Sequence, residues 1–429
     1  MQNTETSPLG TTRVPFFVAF LRLYGSDALF RSSLDFALIG LVVCWFMAPP
    51  LLPQIWPKQA NDTSRPSASP LHVPQPAPAP AADLTGIAKA ANASPVPTGP
   101  EKVRREWFRL SDPQIVPALS SAADEITKGS GAGAEKILAE INKPDDPNVL
   151  SMSAYAALLM RNKDSMQRAF DLHLKAAIAG HPESMDQVGQ FLRLGAAGRV
   201  DLAAAVDWYE RGAAAGSSFA ATNAGRAYVN GWARPIDLTK AHRYYGMAAE
   251  AGEPWGMHNY GGSFVNGEGG VTRDAKLDRE WIGKAAKAGL AAAQLNYAKL
   301  ARKGIGGPLD TDEFVEWAHK AAAQGYPPAL YELGMFYLEP DAKRAPDVAQ
   351  AASYLRQAAI KKHPAAQFAY ATLCERGAGV AANNVQAFVY YSLAFRAGQK
   401  EAQSRLDNLR GKMSATDLET AQRLVSAAT

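Results

Sequence analysis

Residues 259–289 read NYGGSFVNGEGGVTRDAKLDREWIGKAAKAG. The centre, Gly267-Glu268-Gly269-Gly270 ahead of a helix-like run, resembles a loop that cradles phosphate, while the flanks read as two short helices rich in small residues. Context separates the two readings. A phosphate loop occurs once, follows a strand and leads into Lys-Ser/Thr. Here no Lys-Ser/Thr follows, and the glycine recurs at a fixed interval along the chain.

The interval emerges when the sequence is aligned on the glycine that closes each Ala-Ala-x-x-Gly: Gly180, Gly216, Gly252, Gly289 and Gly325, then Lys362 in the same register, then Gly398. The spacing is 36 or 37 residues throughout. A period this regular is the mark of a stacked array and outranks any local motif. Small residues follow at the fourth position (Ser184, Ala220, Gly256, Ala293, Ala329, Ala366, Ala402) and again at the ninth (Gly189, Gly225, Gly261, Ala298, Gly334, Ala371). Fifteen positions on stand Gly195, Gly231, Gly267, Gly304 and Gly377, with Pro340 the exception. These predict a first helix closely approached by its partner and ended by a left-handed residue. Asp237, Asp274 and Asp312 are the expected N-caps of the second helix. Trp208, Tyr244, Trp281, Trp317, Tyr354 and Tyr390 are expected to fill the gap between the two helices, and pairs such as Ala248-Ala249 to abut the next unit. Gly267-Glu-Gly-Gly is then the turn inside a helix pair.

The units resemble the Sel1-like repeat, an α/α relative of the tetratricopeptide repeat, most clearly in AATNAGRAYVNGWARPIDLTKAHRYYGMAAEAG, GMHNYGGSFVNGEGGVTRDAKLDREWIGKAAKAG and ALYELGMFYLEPDAKRAPDVAQAASYLRQAAIKK. The resemblance implies an all-α fold, a right-handed α/α solenoid over 149–399, with a helical cap over 101–148 and capping helices over 400–429. Candidate cap helices lie near 114–128 and 133–142. Some family members staple each helix pair with a disulfide; this chain, with Cys44 and Cys374 far apart and no other cysteine, does not have the residues for it.

Ahead of the array the composition changes twice. Residues 36–52, FALIGLVVCWFMAPPLL, carry no charge. At about 1.5 Å per residue the run is long enough for most of a ~30 Å hydrocarbon core. It is read as a transmembrane anchor over 34–52, uncleaved because the leader before it is long and no small-x-small site follows. Arg13, Arg22 and Arg31 precede it, which places segment 1–33 in the cytoplasm and the repeats in the periplasm. Residues 53–100 hold 11 prolines and the run PQPAPAPAA, too poor in large apolar groups for a core, and are expected to be an extended spacer.

The charge balance, 45 Lys+Arg against 41 Asp+Glu, lacks the dense basic face that nucleic acid requires. No His-Glu-x-x-His or Cys-x2-Cys pattern offers a metal site, no nucleophile–base pattern appears, and no cofactor is expected. His181 and His363, directly after the anchor position, are turn residues, and Cys374 is expected to be a buried inert thiol. Gly129–Lys136 has the wrong spacing for a phosphate loop. In the related tetratricopeptide arrays the first helices line the concave wall. Offsets 6, 10 and 13 from the anchor then supply Asp186, Gln190 and Arg193, with Arg226, His258, Lys299, Arg302, Tyr331 and Met335 in later units. This mixed row suits a polypeptide partner. The resemblance implies a non-catalytic scaffold that organises an envelope complex; the alternatives are a periplasmic regulator restraining a sensor or protease, and a peptidoglycan or exopolysaccharide binder.

Overall fold

The computed structural model describes residues 111–428, apart from positions 161, 163, 197 and 341–344. The segments read above as cytoplasmic leader, anchor and spacer lie outside the described residues. Within them, no helix is long and apolar enough to cross a membrane.

The described residues form an all-helical repeat solenoid without a strand, divided into two compact units with the boundary in the chain between Gln324 and Gly325. The N-terminal unit contains α1 (Val116–Thr127), α2 (Gly131–Ala139), α3 (Pro147–Met160), α4 (Ser165–Ile178), α5 (Pro182–Leu194), α6 (Leu202–Ala214), α7 (Ser218–Asn230), α8 (Leu238–Glu250), α9 (Pro254–Asn266), α10 (Ala275–Lys287), α11 (Ala291–Lys303) and α12 (Thr311–Ala323). The C-terminal unit contains α13 (Pro327–Leu338), α14 (Val348–Ile360), α15 (Pro364–Arg376), α16 (Asn384–Arg396), α17 (Ala402–Lys412) and α18 (Ala415–Ala427). From α3 to α16 the helices pair as first and second members of successive repeats.

Local chemistry sets both ends of each helix. Second helices begin at a carboxylate or amide whose side chain accepts a backbone N–H of the first turn: Asp201 from Ala204 at 2.9 Å, Asp237 from Lys240 at 2.9 Å, Asp274 from Leu277 at 3.0 Å, Asn383 from Gln386 at 2.9 Å. For α12 the cap is Asp310, accepting from Glu313 N–H at 2.8 Å. Asp312, expected in that role, sits inside the first turn of α12; Asp310 stands 21 positions after the anchor Gly289, as Asp237 stands 21 after Gly216, and takes the cap. The same cap residues donate their own N–H back to the end of the preceding helix, as Asp274 does to the Phe264 carbonyl at 2.9 Å, and this closes the hairpin. The Gly267–Gly270 loop is that connection, a short 3-10 turn packed against Leu238 and His242 of α8. The anchor position is left-handed even where it is lysine: Lys362 has φ 63°.

The gap between paired helices is filled one position later than the sequence reading placed it. Tyr209, Tyr245, Ile282, Leu355 and Tyr391 are buried there, while Trp208, Tyr244, Trp281, Trp317, Tyr354 and Tyr390 are only half-buried. The half-buried rings pair instead with a ring of the first helix at the edge of the hairpin, as Tyr260–Trp281 at 5.2 Å, Tyr297–Trp317 at 5.4 Å and Tyr370–Tyr390 at 5.1 Å. The alanine pairs do abut the next repeat: a Cβ on Gly256 would lie 2.4 Å from Cβ of Ala248.

The close approach has a consequence whose sign can be measured. A Cβ on Gly225 would lie 2.6 Å from the buried Tyr245 ring, whereas one on Gly262 in α9 would meet nothing within 4 Å. Gly262→Ala should therefore stabilise by about 1 kcal/mol through helix propensity. Gly225→Ala should instead destabilise by about 1–3 kcal/mol through overpacking. Thermal unfolding of the two variants should shift in opposite directions; a shared direction would show that packing against Tyr245 does not retain the glycine.

Candidate functional site

Seven of the nine residues expected on the first-helix face lie in the N-terminal unit, on α5, α7, α9 and α11; Tyr331 and Met335 belong to α13 of the C-terminal unit. On α5, Asp186, Gln190 and Arg193 are spaced i, i+4, i+7 and share a face. Their fates differ. Asp186 is 1% exposed. Its carboxylate accepts from Asn223 Nδ2 of α7 and from Gln190 Nε2, both at 2.7 Å. Burial raises its pKa to about 6, against the opposing pull of these two hydrogen bonds. His258 is 6% exposed, and its Nε2 meets Asn296 Nδ2 of α11 at 2.7 Å. With Asn296 donating, Nε2 is the unprotonated nitrogen, in keeping with a pKa that burial lowers to about 4.

These contacts form rungs between successive first helices. Asp186 reaches Asn223, Thr222 donates to Glu253 at 2.6 Å, and His258 reaches Asn296. Past these rungs, Gln324 at the C-terminal end of the second helix α12 donates to Gln294 of α11 at 2.8 Å. Asp186 and His258 thus hold neighbouring repeats together. Sequence reasoning passed over the asparagines, yet Asn223, Asn259 and Asn296 stand seven positions after the anchors Gly216, Gly252 and Gly289, a periodic signal in three consecutive units.

The residues left at the surface of this face are half-buried Gln190, Arg193, Arg226, Lys299 and Arg302. Arg193 lies over the Trp232 ring at 5.4 Å and Arg226 over Trp255 at 5.1 Å. Arg302 lies over Phe314 at 5.0 Å. Each such pairing links a first-helix cation to a ring further along the chain, and the two tryptophans were also missed by sequence reasoning. In the C-terminal unit Tyr331 stacks on His363 at 4.9 Å, and Met335 is half-buried. A glycan binder calls for carboxylate and aromatic side chains converging on this face, but Asp186 is buried in a rung and Tyr331 is stacked on His363.

Other chemistry-bearing groups serve the fold. His181 caps α5 by accepting the Ser184 N–H on Nδ1 at 3.1 Å, with Nε2 3.0 Å from Asn148 Oδ1. His363 caps α15 in the same way. His173, fully buried, meets Ser184 Oγ at 3.1 Å. The Cys374 thiol is buried beside Gln386, and burial pushes its pKa up, so it is a poor nucleophile. Among the described residues no group of three or more His, Cys, Asp or Glu side chains is placed to hold a metal ion.

The sequence profile of the family described as Sel1 repeat matches seven consecutive segments, 159–181, 182–217, 218–253, 256–290, 291–326, 327–363 and 364–399, which together make up more than half of the chain. Among solved structures, a Sel1 repeat protein from Oxalobacter formigenes is 22% identical, with a TM-score of 0.52 over 74% of this chain and 96% of that one. A protective antigen of uropathogenic Escherichia coli strains displaying an SLR fold is 18% identical, with a TM-score of 0.40 over 81% of this chain and 94% of that one. At 22% identity the likeness to the Oxalobacter formigenes protein is one of fold. No curated protein matches the chain.

Proposed function

Because the chain belongs to the Sel1 repeat family, whose members generally mediate protein–protein interaction, we propose that it is a non-catalytic scaffold that gathers an envelope complex on the first-helix face of residues 182–303. The observation that carries this reading is the division of labour along that face. Buried polar rungs fix the spacing of α5, α7, α9 and α11, and a row of long polar side chains remains at the surface. Rigid, repeated presentation of such side chains is what an extended polypeptide needs for recognition at many small contacts.

The tether belongs to the same proposal. Residues 34–52 anchor the chain in an inner membrane with residues 1–33 in the cytoplasm, and the proline-rich segment 53–100 carries the repeats into the periplasm. The uncharged run 36–52 and the three preceding arginines support that topology. The test is site-specific photocrosslinking of the full-length chain in intact membranes. A crosslinker at Gln190 or Arg226 should give a discrete protein adduct, and one at exposed Arg243 on α8 should not. Adducts from α8 alone, or from neither helix, would reject the first-helix face. Deleting residues 1–52 should release the chain from the membrane and abolish its function with the array still folded; retained function would remove the tether from the proposal.

A further inference from the structure

The last two helices break the pattern of the array. In the unit before them, α15 and α16 are joined by the seven residues 377–383 and lie paired, with Tyr391 buried in the gap. Only Met413 and Ser414 join α17 to α18, and Ser414 caps α18 at once, its Oγ accepting the Asp417 N–H at 3.1 Å. Both helices pack against α16 and make little contact with each other. Between them, over α16, lies a cleft of about 300 Å³.

The lining of this cleft is amphipathic. Phe388, Ser392 and Phe395, spaced i, i+4, i+7 on α16, supply one side, and Leu406 of α17 and Val425 of α18 face them. Phe388, Leu406 and Val425 are buried, whereas Phe395 is 41% exposed, so the apolar lining runs out to solvent. Two cations line the cleft and no carboxylate does. The two are not equivalent. Arg410 is already engaged, donating to Asp407 at 2.6 Å and lying over the Phe388 ring at 5.7 Å. Arg396, in the last turn of α16, is exposed and has no hydrogen-bond or ion-pair partner among the described residues. A guanidinium in this position offers a planar fork of donors beside apolar surface, the combination that recognises a carboxylate attached to an apolar group.

We infer that the cleft between α17 and α18 is a binding site for an apolar monocarboxylate, with an aromatic or branched aliphatic group against Phe388, Leu406 and Val425 and the carboxylate on Arg396. The volume is at the lower end of small-ligand pockets, which begin at about 300 Å³, and is too small for a partner helix. The same chemistry occurs in a free organic acid and at the C-terminal end of a polypeptide whose last residue is apolar. The site shares no residue with the first-helix face of residues 182–303, and it stands or falls without it.

The test is titration calorimetry on the full-length chain in lipid nanodiscs, with empty nanodiscs as the blank. The probes are 3-phenylpropionate, its neutral amide, acetate, and the tripeptide Gly-Gly-Phe with a free or an amidated C-terminus. The free acid should bind, and the neutral amide should bind at least about tenfold more weakly, because the charge-assisted hydrogen bonds are lost. Acetate, with no apolar group, should not bind measurably. Arg396→Gln should weaken the acid by about tenfold, Arg396→Lys should weaken it less, and Arg243→Gln on α8 should leave it unchanged. Ser392→Phe, which fills the cleft from α16, should abolish binding in a chain that melts as the native one does. Tighter binding of the free tripeptide than of 3-phenylpropionate would assign the site to a polypeptide end, and the reverse order to a free acid. Equal binding of acid and amide, acid binding untouched by Arg396→Gln, or failure of both the acid and the free tripeptide to bind at millimolar concentration would overturn the inference.

Discussion

Replacing Asp278 with alanine should stabilise the protein by about 2–4 kcal/mol at pH 8, one of the few substitutions expected to do so by that much. Asp278 is fully buried four residues after the Asp274 cap, and neither carboxyl oxygen has a hydrogen-bond partner. The equivalent positions of the other second helices are Ala205, Ala241, Phe314, Ala351 and Ala387, all at most 3% exposed and all apolar except here. Burial raises the Asp278 pKa from 3.8 to about 7. A carboxyl group whose pKa is higher in the folded chain favours folding in its protonated form, so the penalty grows from about pH 4 to pH 7 and is constant above. The gain in Asp278→Ala should therefore be largest at pH 8 and smaller at pH 5, by chemical or thermal denaturation at the two pH values. Loss of the favourable charge near the start of α10 offsets less than about 1 kcal/mol of it. Destabilisation at pH 8 would show that the carboxylate is held by something other than the core.

Acidification should destabilise the array, and the sign follows from the opposite kind of group. His173, His181 and His258 have pKa values lowered from 6.5 to about 3, about 4 and about 4, burial being the first cause in each. His242 and His319 are lowered for the same reason. A histidine held neutral contributes stability that is complete above pH 6.5 and is lost as pH falls toward its folded value, at about 1.4 kcal/mol per pH unit for each proton taken up on unfolding. In that window Asp278 and Asp186, raised to about 7 and about 6, act in the other direction. The histidines outnumber them. The melting temperature should accordingly drop between pH 6.5 and pH 5, and drop more steeply in Asp278→Ala, where one opposing group is gone. His181→Asn keeps an N-cap acceptor for α5 without a titrating ring and should flatten the profile. A profile unchanged by both variants would place the acid sensitivity elsewhere.

Much of this fold is legible in sequence because helix ends are local events. The glycines fifteen positions after each anchor are left-handed where they were expected, Gly195 at φ 67° and Gly231 at φ 66°, since the demand on φ arises within one turn of the residue itself. Asp237 and Asp274 were identifiable as caps for the same reason, and so was Asp310, which stands 21 positions after its anchor as Asp237 does; the choice of Asp312 broke that register by two residues. The site was less legible. Offsets 6, 10 and 13 identify a helix face, but Asp186 and Arg193 share that face and meet different fates: one is buried against Asn223 and the other lies over Trp232. Those partners are 37 and 39 positions further along, and a spacing rule built on one helix has no access to them.

The sequence by itself determined the period of 36 or 37 residues, the helix pair as the unit, the caps that start and stop each helix, and through these the family. Each of those features is decided by residues within a few positions of one another, so the linear pattern carries them in full. Tertiary structure alone decided which of two adjacent side chains fills the hairpin. Successive residues on a helix differ by about 100° in direction, so Tyr209 is buried and Trp208 is not, a choice set by where α5 and α6 meet. It also decided that the polar residues of the first-helix face divide into buried rungs and half-buried surface side chains, and that the chain divides into its compact units at Gln324–Gly325. These outcomes depend on contacts between helices a full repeat apart, where packing and desolvation, and not local propensity, choose which side chains remain for a partner.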